Sequence, residues 1–184
     1  DKMNDSEGNT PIIEVKGLEA RFGDKVVLED VDFVAQPSYV TAVLGGSGSG
    51  KSTLIRHILG LLRPVKGTIR LLGQDITNAS PQQMRQIRSK IGVLFQSHAL
   101  LTSKTVGENL ALVLRENTGL PESLIWQIVR MKLAQVGLEG AVELYPAELS
   151  GGMAKRAALA RSIAFDPEVL FCDEPTSGLD PVTA

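Results

Sequence analysis

Parallel α/β with an inserted helical subdomain is the fold class this sequence predicts, and three observations predict it. Short apolar runs alternate with helix-patterned segments at both ends of the chain. A glycine-rich loop, Gly45–Thr53, joins one such run to one such helix. Between the two alternating regions lies a long stretch of purely helical pattern.

In chain order, Ile12–Lys16 and Val26–Val34 alternate apolar and polar residues and read as N-terminal antiparallel strands. Tyr39–Leu44 ("YVTAVL") is an apolar run ending in glycines, the pattern of a buried strand. Ser52–Leu62 has helical periodicity, with Pro64 as its breaker. Gly67–Gly73 reads as a strand between glycines, Gln82–Ser89 as a helix and Ile91–Phe95 as another buried strand. Val106–Val136 is helical, restarting at Pro121. Ser150–Ala164 predicts a helix and Glu168–Cys172 a last buried strand. Trp126 and Met131 fall in an apolar stripe and are expected in the core, whereas Lys155, Arg156 and Arg161 read as a solvated helix face. Tyr145 and Pro146 read as a turn.

The bulk numbers narrow the function. The chain has 184 residues, 43% hydrophobic and 22% charged, as ordinary globular proteins do. A net charge of −2 argues against a broad basic surface, so no nucleic-acid partner is expected. Cys172 is the single cysteine, which excludes an intrachain disulfide; it is expected to pack in its strand, in a reducing setting. No apolar run approaches the roughly 20 residues that span a bilayer. Residues 1–10 are polar and are expected to form a flexible tail, with Met3 as the expected true start.

"GGSGSGKST" (Gly45, Gly46, Ser47, Gly48, Ser49, Gly50, Lys51, Ser52, Thr53) fits G-x-x-x-x-G-K-[ST] in its required place, after an apolar run and before a helix. Glycines let consecutive N–H groups point at phosphates, Lys51 supplies a mobile charge for the β- and γ-phosphates, and the Ser52 hydroxyl is a ligand for Mg²⁺. The motif predicts a nucleotide-binding loop. "VLFCDE" ends a strand with two acids. Asp173 is placed to hold Mg²⁺ through its water shell, and Glu174 to orient and deprotonate the attacking water.

A second anion-binding pattern stands at "ELSGGMAKRAALAR". Ser150, Gly151 and Gly152 open a helix whose first N–H groups have no intrahelical partner. The plain reading is a Ser-capped helix. The other is that two chains pack head to tail, so that Ser150 of one covers the γ-phosphate held by Lys51 of the other.

Taken together these residues resemble the ATP-binding-cassette ATPases. Gly45–Thr53 is similar to their Walker A, Gln96 to the Q-loop, Leu149–Met153 to the signature, "VLFCDE" to Walker B and Ser177–Asp180 to the D-loop. The resemblance covers nearly all of Ile12–Ala184. It implies ATP as the nucleotide and a P-loop NTPase core of RecA-like type. It also implies a homodimer with Ser150, Gly151 and Gly152 acting in trans, contact of Gln96 with Mg²⁺ and the water, and Asp180 crossing the interface. It places Phe22 where an aromatic stacks on adenine; ordinary strand packing is the other role for that ring. It also implies a membrane permease as partner, with a groove for it at Ser97–Leu110; Leu100 and Leu101 serve that groove or pack within the subdomain.

Met153, where Gln is usual, and the text of Arg115–Ala141 resemble the ATPases of Mla/Mce-type lipid transporters. That implies a peripheral protein at the cytoplasmic face of the inner membrane, touching lipid only through the permease. The rivals are an ABC ATPase of another transporter class, a soluble cassette ATPase of DNA repair or translation, and a nucleotide-binding fragment without turnover. A repair ATPase of this kind usually carries a long coiled coil, and no heptad run is present. The expected organisation is a cassette over 11–184, with its core in 11–96 and 165–184 and a helical subdomain over about 97–164. The family's switch histidine lies well beyond Glu174, where this sequence has ended, and neither His57 nor His98 stands at its position. The expectation is therefore a C-terminally truncated ABC cassette.

Overall fold

The computed structural model describes residues 10–95 and 99–173. They divide after Arg88 into two compact units.

The first unit is built on an antiparallel sheet of order β2–β1–β3–β4, made of β1 (Ile13–Phe22), β2 (Lys25–Ala35), β3 (Lys66–Leu71) and β4 (Gln74–Asp75). β1 runs longer than its alternation predicts, because a bulge resets it. Ile13 and Val15 face the core, the register shifts around Gly17, and Leu18 and Ala20 are then the buried pair. One extra residue exchanges the two faces of a strand, which breaks a strict period-2 pattern. The Gly17 N–H is held by Asp32 Oδ1 at 2.7 Å.

Helix α1 (Lys51–Ile58) lays Leu54, His57 and Ile58 against this sheet. It stops before the predicted Leu62. Gly60 adopts φ +62, a left-handed terminator, and Met84 packs so close that a Cβ there would meet its Cε at 2.5 Å. Helix α2 (Pro81–Arg88) is fastened to the end of α1 by Arg88, whose Nη2 donates to the Gly60 carbonyl at 2.9 Å.

Tyr39–Leu44 corrects the sequence reading. It forms no strand, and Tyr39, Val40 and Leu44 are 74%, 100% and 89% exposed. An apolar run becomes a buried strand only where neighbours pair with it, and no described strand does.

The second unit holds a parallel pair, β5 (Ile91–Leu94) and β6 (Val169–Cys172), in register Ile91↔Val169 through Leu94↔Cys172. α3 (Val106–Asn117) and α4 (Glu122–Gln135) pack on each other and on α5 (Gly151–Ser162), which in turn packs on β5. Their shared core is Val106, Leu110, Leu114, Ile125, Val129 and Leu133, closed by the small residues Ala157 and Ala160 of α5. Gly92 of β5 lies so near the end of α5 that a Cβ would sit 2.2 Å from the Ser162 carbonyl oxygen.

Trp126 packs on this core as predicted. Met131 does not: it is 49% exposed, because α4 turns that side away from α3 and α5. β6 buries only Phe171, and Cys172 is exposed rather than packed. No described helix is long and apolar enough to cross a membrane.

Candidate functional site

Gly45–Thr53 forms a loop that turns into α1 at Gly50. That residue caps the helix with φ 95, and a Cβ there would stand 2.7 Å from Leu28 Cδ2 and 3.3 Å from the Val27 carbonyl oxygen. Only glycine satisfies both the left-handed turn and the close approach of β2. The Gly50 carbonyl then accepts the first helical bond, from Leu54 N at 2.8 Å.

Lys51 folds back over the loop it follows. Its Nζ donates to the carbonyls of Gly45 and Gly46 at 2.7 and 2.8 Å. The ammonium therefore stands among backbone groups of the loop, and no acidic residue in the first turn of α1 opposes an anion there. Gly45–Ser49 are exposed and Ser52 and Thr53 half-buried. His57, one turn on, is buried and its Nδ1 lies 2.8 Å from the Thr53 carbonyl oxygen, which fixes the helix behind Ser52. Phe22 ends β1 with its residue 51% exposed, so strand packing does not bury the ring.

In the second unit Asp173 directly follows β6, half-buried, its N–H donating to the Leu94 carbonyl at 2.9 Å. Pairing with β5 thus fixes the backbone from which this carboxylate projects. Partial desolvation pushes the neighbouring Cys172 thiol up, which keeps it a thiol. Ser150 caps α5, its hydroxyl accepting from Met153 N at 3.3 Å. Ser150, Gly151 and Gly152 are exposed, among the described residues nothing lies within 4 Å of a Cβ on either glycine, and α5 has no acid in its first turn. Among the described residues nothing covers that helix start, whose first N–H groups suit an anion. Gln96, His98, Glu174 and Asp180 lie outside the described residues, as does the tail over 1–9.

Two features escaped the sequence reading. Asn109 of α3, 1% exposed, ties the loop that follows Leu100. Its Oδ1 accepts from Leu101 N, and its Nδ2 lies within 2.9–3.2 Å of the carbonyls of Leu101, Lys104 and Thr105. An asparagine inside an apolar helix was the available signal. Leu100 packs against the core and Leu101 is 43% exposed.

The second is that the basic face of α5 is not uniformly solvated. Arg156 is exposed, but Lys155 Nζ is buried without a hydrogen-bond partner among the described residues. Arg161 reaches across 62 residues of sequence to donate from Nη1 to the Ala99 carbonyl at 2.6 Å, and burial holds its guanidinium below the usual value. Helical spacing cannot show this, because the long aliphatic stems of these residues let their heads turn inward.

The family model described as ABC transporter matches residues 28–177. The intermembrane phospholipid transport system ATP-binding protein MlaF of Haemophilus influenzae is 48% identical over 175 residues, 95% of this chain and 66% of that protein. MlaF of Escherichia coli K12 is 41% identical over 172 residues, 94% of this chain and 64% of that one. The probable ribonucleotide transport ATP-binding protein mkl of Mycobacterium tuberculosis is 48% identical over 170 residues, 92% and 47%. The chain thus spans between about half and just under two thirds of these relatives. Among solved structures, the ATP-binding cassette MJ0796, a dimer in a post-hydrolysis state bound to ADP and Pi, superposes with TM-score 0.85. It is 27% identical, with 93% of this chain and 77% of that one covered.

Proposed function

This chain belongs to the ABC transporter family, and from that premise we propose that it is the ATP-binding and ATP-hydrolysing subunit of a transporter whose cargo is phospholipid. The observation that carries the reading is the Gly45–Thr53 loop, turned into α1 by a glycine that no other residue can replace and holding the Lys51 ammonium among its own carbonyls.

The residues fit the groups they would hold. Backbone N–H groups and the start of α1 suit polyphosphate. The Ser52 hydroxyl and the Asp173 carboxylate are hard oxygen donors of the kind Mg²⁺ takes, with Gln96 as a third through its amide oxygen. Among the described residues no group of three His, Cys, Asp or Glu side chains is placed to hold a metal, which agrees with a cation bound chiefly through substrate phosphates and water. When bound, Mg²⁺ neutralises charge across the β- and γ-phosphates. Lys51 exchanges its two carbonyl partners for phosphate oxygens. Phe22 offers an open ring for adenine to stack on. Glu174 accepts the proton of the attacking water, and Gln96 orients that water.

The start of α5, uncovered among the described residues, supports the second chain's role. Ser150, Gly151 and Gly152 of one subunit meet the γ-phosphate held by the other, and Asp180 crosses between them. The dimer then closes with ATP and opens after hydrolysis. The solved neighbour, a dimer with ADP and Pi, supports that arrangement. Phospholipid as cargo is supported by two MlaF relatives from different bacteria and by Met153 in the signature. The subunit would work peripherally at the cytoplasmic face of the inner membrane, seated on a permease through the Ser97–Leu110 segment and meeting lipid only through it.

The test is Glu174→Gln in the whole protein, which preserves size and hydrogen bonding but removes the base. Turnover is expected to fall by about 10²–10⁴ with ATP still bound. Wild-type phosphate release by that variant would place the base elsewhere.

A further inference from the structure

The phosphate loop and the hairpin of β1 and β2 meet at a defined point. A Cβ on Gly50 would stand 2.7 Å from Leu28 Cδ2 and 3.3 Å from the Val27 carbonyl oxygen, so β2 passes the end of the loop at those two residues. Two residues earlier, about 7 Å along the strand, is Lys25. It opens β2 and is the register partner of Phe22, which ends β1. Directly opposed residues of an antiparallel pair send their side chains to one face of the sheet, with Cβ atoms about 5 Å apart. The register shift between Ala20 and Arg21 adds its extra residue to β2, so β1 alternates undisturbed from Ala20 to Phe22. Phe22 therefore shares the face of Ala20 and of its partner Leu28, the residue that meets Gly50. Phe22 and Lys25 continue that face beyond the loop.

Both residues are exposed. The neighbouring cations are committed elsewhere: Arg21 Nε donates to Glu19 Oε1 at 2.6 Å, and Lys66 Nζ pairs with Glu19 Oε2 at 2.7 Å. Lys25 has no ion pair among the described residues. An ammonium thus stands beside the open ring on which the base is proposed to stack. Stacking alone does not choose among bases, because each has a π-face. A row of donors beside the ring does choose. Guanine presents two adjacent acceptors, O6 and N7, whereas adenine presents N7 next to its N6 amino donor. Lysine, with three donors and no acceptor, satisfies both guanine atoms but only one of the adenine pair.

We infer that Lys25 is a specificity-determining residue of the nucleotide site: it reads the O6–N7 edge of the base stacked on Phe22, and so admits GTP at an affinity no lower than that of ATP. The inference rests on the stacking role proposed for Phe22. It divides the work of the hairpin, with the ring holding any purine and the ammonium setting which one is preferred.

The experiment is displacement of a fluorescent ATP analogue from the whole protein by ATP, GTP and ITP, each with Mg²⁺. All three carry the same triphosphate, so the ratio of their Kd values isolates the base. The wild-type protein is expected to bind GTP with a Kd equal to or below that for ATP. ITP, which keeps O6 and N7 but lacks the exocyclic amine of guanine, should follow GTP. Lys25→Met is expected to raise the Kd for GTP and ITP about fivefold or more, the low end of what a two-point contact to these atoms discriminates. The Kd for ATP should change less than about twofold. Lys25→Arg, which keeps a donor pair at the same place, should retain the wild-type preference.

Wild-type protein that binds GTP more than about fivefold less tightly than ATP overturns the inference. So does a Kd ratio that Lys25→Met leaves unchanged, including an equal rise for all three nucleotides, the mark of a charge acting on the phosphates alone. Phe22→Ala, run beside these, separates the two levels. If it weakens ATP and GTP alike while Lys25→Met leaves their ratio at the wild-type value, only the present inference fails. If it changes neither, the place of the base fails and the inference falls with it.

Discussion

Lys51 illustrates how much of this site is decided at a single residue. Its charge is mobile on a four-carbon stem, yet the loop backbone already receives it through two carbonyls. Replacing those partners with phosphate oxygens exchanges neutral acceptors for charged ones, and charge-assisted bonds are the stronger kind. Lys51→Ala is therefore expected to weaken ATP binding by about 1.5–3 kcal/mol, roughly 10- to 150-fold in Kd, with an unchanged thermal melt. Calorimetry on the folded variant checks this; unchanged affinity would move the nucleotide elsewhere. Lys51 and Gly50 were legible in the sequence because adjacent residues of one motif set the turn and the charge that follows it. Arg161, Lys155 and Met131 were not. Whether a long side chain on a helix meets solvent depends on what the fold brings beside it, and Ala99, which Arg161 holds, is 62 residues away in sequence.

At the scale of elements, α3 shows a helix start specified twice. Thr105 and Glu108 exchange side-chain bonds with each other's backbone, at 3.2 and 2.8 Å, in a capping box. Asn109, one residue later, fixes the loop leading in. Losing the cap by Thr105→Ala is expected to cost about 1 kcal/mol in urea denaturation. Asn109→Ala removes bonds to three residues from a buried site and is expected to cost more, about 2–3 kcal/mol. The reverse order would mean that the loop is held by something other than Asn109. Arg115 of α3 and Glu122 of α4 add a bidentate pair at 2.7 and 2.8 Å across the connection, exposed and so of small weight.

The helices of this region were legible because their apolar residues recur with the helical period and two of their starts carry Pro121 and Ser150; the Thr105 cap was not among the signals read. The strands were less so. The bulge at Gly17 breaks the alternation that identifies β1, and Tyr39–Leu44 has the composition of a buried strand with no described partner to make it one. Strand identity belongs to a pair of segments, and one segment cannot reveal it alone.

For the whole molecule, the order of motifs said more than any element. A phosphate loop, an acid-ended strand and a Ser-Gly-Gly helix start each have a commonplace reading; in this order they mark the ABC transporter family, which the match over residues 28–177 establishes. The loop at Lys51 and the helix start at Ser150 are expected to act on one nucleotide from two chains, and mixing two differently damaged subunits is the decisive check. In a Glu174→Gln background that retains ATP, one preparation carries Lys51→Ala and the other Ser150→Arg, and mass is followed by sedimentation with Mg-ATP. Each preparation alone has a defect at both of its sites and should remain monomeric. Mixed, the two chains form one site with an intact loop from one and an intact helix start from the other. ATP-dependent dimers in the mixture alone are the predicted result. A mixture that stays monomeric while the parent dimerises, or dimers in either preparation alone, would contradict the claim.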